Sequence, residues 1–177
     1  MDNKKMLGII IGIISVIVIV FVVVILKGST KSIDIKLNED YKSLVGITVN
    51  SDIILVIDNK NRVSNILYLN EKSVKVFANQ KIEGKDYTKA IELIVDKLKN
   101  NNEFNNGEEL IITKYDENTI YSNILTEINK EFVIYGVDNK IEELSSTLES
   151  KITSLNITDS TNDIKTLYNY SKKLLEN

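Results

Sequence analysis

Cysteine, histidine and proline are all missing from this chain of 177 residues. Without cysteine or histidine there is no thiolate nucleophile, no imidazole base, no zinc site built on either residue and no disulfide staple. That removes most common catalytic constellations. Without proline the backbone contains no tertiary amide, the peptide bond that twists most readily. An excess of basic charge is missing too: the net charge is −3, with 27% charged side chains, so the chain is not a basic nucleic-acid binder. The lack of cysteine suits a bacterial protein working outside the cytoplasm without disulfides, and equally an ordinary cytosolic one.

What is present begins with an uninterrupted apolar run, Met6 to Leu26, MLGIIIGIISVIVIVFVVVIL, without a single charge. As a helix it crosses roughly 30 Å of hydrocarbon. A cleavable signal peptide is the rival reading. Its apolar region is shorter, however, and the exit here, Leu26-Lys27-Gly28-Ser29-Thr30-Lys31, has no A-x-A-like small-residue site. The expectation is therefore a retained transmembrane helix at 6–26, preceded by a cytoplasmic stub (1–5) too short to fold and followed by a tether (27–32). Lys4 and Lys5 are nearly balanced by Lys27 and Lys31, so charge does not set the orientation. A short N-terminal flank, one span and a polar body is the layout of an N-in signal anchor. It predicts a single-pass protein of the cell membrane with residues 33–177 outside the cytoplasm.

The body alternates between two periods. Ile33 to Leu37, Gly46 to Val49, Ile53 to Ile57 and Val63 to Leu69 read as strands, with Asp58-Asn59-Lys60-Asn61 as a hairpin turn. Val74 to Phe77 reads as a short strand or an edge. From Asp86, a plausible N-cap, Tyr87, Ala90, Ile91, Ile94, Val95 and Leu98 share one helix face. Leu110 to Tyr115 is a strand, and Ile120, Ile124, Leu125 and Ile128 mark a second helix. Phe132 to Val137 returns as a strand. Ile141, Leu144, Leu148 and Ile152 mark a third helix, and Ile164, Leu167, Tyr168 and Leu174 a fourth. This order predicts an α+β domain, one small mixed domain whose sheet has one apolar face covered by helices. Asp and Glu residues sit singly, without a convergent pair, so an enzyme is the least favoured class. No cofactor and no metal ion is expected.

Three segments then occur in an order that resembles a known family. VNSDIILVIDNKNRVSNILYLNE is similar to the N-P-S-I-E-hydrophobic strand, turn and strand in the extracytoplasmic middle domain of RsgI-type anti-sigma factors. IEGKDYTKAIELIVDKL resembles the helix that follows it. YGVDNKIEELSSTLESKITSLNITDSTNDIKTLYNYSKKLLE resembles the final strand and closing helices, with the interhelical break at Leu155-Asn156-Ile157-Thr158. The similarity spans about Ile33 to Leu175, and its specificity lies in order and spacing.

The resemblance implies a membrane-tethered sensory domain. RsgI-type proteins hold a sigma factor with a cytoplasmic N-terminal domain, cross the membrane once, and present this domain to the envelope, often ahead of a polysaccharide-binding module. The sequence here matches the middle domain, without the cytoplasmic anti-sigma domain or the carbohydrate module. A protein partner in the envelope or membrane, and no nucleic acid, is the expectation. The competing class is a structural component of the envelope, serving adhesion, cell-wall assembly or sporulation.

In that family the middle domain cuts its own backbone at Asn-Pro. The matching bond here is Asn50-Ser51. Two routes to cleavage are conceivable: attack by the Asn50 amide on its own carbonyl, or by the Ser51 hydroxyl on that carbonyl followed by ester hydrolysis. Both need backbone strain, and no imidazole or thiol is available as a base. The favoured reading is a vestigial site: a strand-linking bend in which Asn50 takes an unusual backbone angle and Ser51-Asp52 cap local amides.

Overall fold

The run Ile53-Ile54-Leu55-Val56-Ile57 contains no polar residue, so alternate side chains on both faces of this strand must find cover. That requirement shapes the domain. The computed structural model describes residues 36–104, 108–118, 120–158 and 163–177. Residues 36–177 make up one compact unit. The stub 1–5, the apolar run 6–26, the tether 27–32 and the expected strand residues Ile33 to Ile35 lie outside the described residues. Among the described residues, no helix is long and apolar enough to cross a membrane.

In chain order the elements are β1 (Tyr41–Thr48), β2 (Asp52–Asp58), β3 (Val63–Tyr68), α1 (Glu71–Phe77), α2 (Tyr87–Asn100), β4 (Leu110–Lys114), α3 (Ile120–Tyr135), β5 (Ile141–Ser145), α4 (Leu148–Ser154) and α5 (Ile164–Glu176). The strands form one sheet in the order β3-β2-β1-β4-β5. All pairings are antiparallel except β4 with β5, which are parallel and joined through α3.

One face of the sheet presents Val45, Ile47, Ile53, Leu55 and Ile57. They pack with Phe77 of α1, Ile91, Ile94 and Leu98 of α2, and Ile124, Ile128 and Phe132 of α3. The other face presents Leu44, Ile54, Val56 and Leu67, which cluster with Ile152 of α4 and Ile164 and Leu167 of α5. Helices thus cover both faces, where the sequence reading expected one. The mixed α/β architecture with a helix-covered sheet stands. The second layer exists because β2, an interior strand, is apolar at every position from Ile53 to Ile57, and the C-terminal helices supply the apolar stripe it needs.

Four local expectations are corrected. Lys36 and Leu37 are not in a strand; β1 begins at Tyr41. Val74 to Phe77 is helical: Asn70 and Ser73 form a reciprocal capping box, which starts α1 at Glu71. Phe132 to Tyr135 is the last turn of α3 rather than a strand. Gly136, at φ 61°, closes that helix in the left-handed region, with the Val137 N–H donating to the Phe132 carbonyl at 2.9 Å. Ile141 to Ser145 is a strand, and the helix expected there starts only after Thr147, whose hydroxyl accepts from the Ser150 N–H.

Candidate functional site

The link between β1 and β2 is a tight bend in which the Val49 N–H donates to the Ser51 carbonyl at 2.9 Å. Around Asn50 the fold gathers residues that are far apart in sequence. The Asn50 carbonyl accepts from Asn70 Nδ2 at 2.9 Å. The same Asn70 caps α1, its Oδ1 accepting from the Ser73 N–H at 2.8 Å. Its side chain is thereby fixed at both ends. Asn50 Nδ2 in turn donates to the Glu103 carbonyl at 3.5 Å and to the Glu108 carboxylate.

Glu103 is fully buried, just beyond α2. Its Oε1 lies 3.0 Å from Lys72 Nζ of α1, and neither carboxylate oxygen has a partner in hydrogen-bond geometry. The Lys72 charge is therefore its compensation. Next to it, Phe104 meets Phe132 of α3 edge-to-face, with ring centroids 5.1 Å apart.

The Ser51 hydroxyl is buried and has no hydrogen-bond partner. It caps no amide. Asp52 is engaged instead by the Thr48 hydroxyl at 2.8 Å and Lys151 Nζ at 2.7 Å. Neither Asn50 nor Ser51 has the unusual backbone angle expected of the bend: the positive-φ non-glycine residues are Asn61, Asn102 and Asn156, and no peptide bond is cis among the described residues. The Ser51 N–H makes no hydrogen bond among the described residues either.

Chemically, the bend holds one of the elements an acyl transfer needs. Asn70 supplies a donor to the carbonyl oxygen where negative charge would develop. Of the two candidate nucleophiles, the Ser51 hydroxyl touches no base, and the Asn50 amide donates to the Glu103 carbonyl and the Glu108 carboxylate. Among the described residues no group of three or more Asp, Glu, His or Cys residues gathers to hold a metal ion.

Asn70, Lys72, Glu103 and Glu108 were not singled out from sequence. The one local signal was Asn70-Glu71-Lys72-Ser73, a capping pattern that identifies Asn70 as a helix start. Glu103 was hidden in the polar stretch NNNEFNNGEE, where only the neighbouring Phe104 hints at burial.

A family model described as the anti-sigma factor RsgI-like central domain matches residues 42–174. No curated protein matches the chain.

Proposed function

Because the chain belongs to the family of the anti-sigma factor RsgI-like central domain, we propose that it acts in sigma-factor regulation as a membrane-anchored, extracytoplasmic sensory or accessory domain. It does so through a protein partner in the membrane or envelope. The carrying observation is the family match from β1 to near the end of α5. The charge-free run Met6 to Leu26, which precedes the matched region, supports the anchor. Protease added to intact protoplasts should remove residues 33–177, and loss of the gene should change the output of a sigma-factor reporter. If the body is digested only after lysis, the location is wrong. An unaltered reporter together with a cell-wall defect would favour the structural role instead.

The domain is no enzyme in this reading, and the Asn50-Ser51 bond stays intact. A Ser51 hydroxyl without a hydrogen-bond partner, and the lack of a positive φ or a cis peptide bond at Asn50 and Ser51, support this. Intact mass spectrometry after prolonged incubation tests it: a dominant pair of fragments ending at Asn50 and starting at Ser51 would overturn it. Ser51→Pro is the informative variant. It converts a secondary amide into one that twists more readily, and it sacrifices no hydrogen bond, since the Ser51 N–H makes none among the described residues.

A further inference from the structure

The two edges of the sheet are treated differently. Along β3, outward N–H groups are taken up from outside the sheet: Val63 donates to the Lys85 carbonyl at 2.9 Å and Tyr68 to Ser171 Oγ at 2.8 Å, while the Glu83 carboxylate lies near the Ile66 N–H. That edge is closed. At the other edge, the Leu110 N–H donates to the Lys140 carbonyl and the Ser146 N–H to the Lys114 carbonyl, both at 3.0 Å. Backbone direction alternates along a strand, so the N–H and C=O groups of Ile141, Glu143 and Ser145 point away from β4. Among the described residues, no hydrogen bond takes up those N–H groups.

The side chains along this open edge are specific. Register with β4 pairs Glu142 with Ile111 and Leu144 with Thr113, placing both on one face. There Leu144, 42% exposed, borders a groove of about 270 Å³ walled by Ile111, Tyr115 and, from α4, Ser150 and Lys151. Glu143 stands on the opposite face, where it accepts from the Tyr121 hydroxyl at 3.5 Å, with no cation at ion-pair distance among the described residues. A second copy pairing antiparallel about Glu143 would set Glu143 against Glu143, a like-charge contact that opposes self-association.

We propose that the outer edge of β5 is a docking site for one extended segment of a partner protein, which adds to the sheet as a further strand. That segment carries a basic residue opposite Glu143 and, adjacent in sequence, an apolar residue opposite Leu144 that lies over the groove. Backbone pairing supplies the attraction, and the alternating side chains supply the selection. The inference rests on the edge and its charges, not on the sigma-factor reading.

The test uses the full chain in detergent micelles and a fluorescently labelled hexapeptide alternating leucine and arginine, against the same peptide with glutamate in place of arginine. Anisotropy should show binding of the arginine peptide alone, and hydrogen exchange should slow at the amides of Ile141, Glu143 and Ser145. Glu143→Lys should weaken binding about fivefold. Ser145→Pro, which removes one outward N–H, should weaken it on the order of tenfold. Both variants should keep the wild-type melting temperature, which separates lost docking from lost folding. The proposal is overturned if the arginine peptide does not bind, if both peptides bind alike, or if both variants bind normally. Concentration-dependent protection of the same amides without peptide would identify a second copy as the occupant and equally overturn it.

Discussion

Glu103 is the most exposed to test of the individual residues, because its burial makes its one counter-ion matter. Replacing Lys72 by alanine leaves a fully buried carboxylate uncompensated, and an expected loss of about 3 kcal/mol follows. Glu103→Gln removes the charge along with the need for it, so it should cost clearly less. Chemical denaturation of the two variants checks the order; equal losses would mean that the pair contributes through packing alone. Glu83 makes a pH-dependent case. Burial pushes its carboxyl above the ordinary range, against the opposing pull of the Ile66 N–H. A raised folded-state pKa gives stability that is present below the unfolded value, about 4.3, and is lost as pH rises through the folded value. Glu83→Gln abolishes that loss. Its melting temperature should match the wild type near pH 3 and exceed it at pH 7; a difference independent of pH would contradict the assignment.

At the scale of elements, a single carboxylate at the β4–α3 turn ties the start of β1, ahead of its pairing with β4. Asp116 accepts from the Leu44 N–H and the buried Ser43 hydroxyl of β1, and from the Asn118 N–H at 2.8 Å ahead of α3. Asn118 Nδ2 adds a bond to the Lys42 carbonyl at 2.7 Å. These ties hold β1 where its register with β2 shifts between Tyr41 and Ser43. Asp116→Ala strands the buried Ser43 hydroxyl and the Leu44 amide, with an expected cost of about 2 to 4 kcal/mol. Urea titration checks this. Phe132 to Val137 has the β-branched look of a strand, yet Phe132 continues the buried stripe of Ile124 and Ile128, while Val133 and Ile134 are 83% and 62% exposed. Ile141, Leu144, Leu148 and Ile152 keep helical spacing by coincidence, since the first two stand on opposite faces of β5.

For the whole molecule, β2 links the two cores. Ile53 and Leu55 feed the cluster under α2 and α3, and Ile54 and Val56 feed the cluster under α4 and α5. Both layers should therefore unfold together. Residues 33–177 expressed alone should show one cooperative thermal transition without metal, disulfide or cofactor. Ile53→Ala and Ile54→Ala should each lower that same transition, by about 2 to 5 kcal/mol. Two separate transitions in either variant would mean that the layers are independent units.

Much of this was already determined by sequence. The β1-β2-β3 meander core, the turn at Asp58 to Asn61, the amphipathic α2 with Asp86 at its N-cap, and the order that resembles RsgI-type middle domains are local patterns. Period and capping chemistry are carried by neighbours in the chain, so they can be read without a fold. The sequence also marked Asn50-Ser51 as the bend. The fold alone brings Asn70, Glu103 and Glu108 together on it, because those contacts join segments 20 to 58 positions apart and leave no periodic trace. It also decided between strand and helix at Phe132 and Ile141, where an apolar run of a few residues satisfies either period. What settled the choice was which face had a sheet to cover and which strand, β4, had an edge still to be paired.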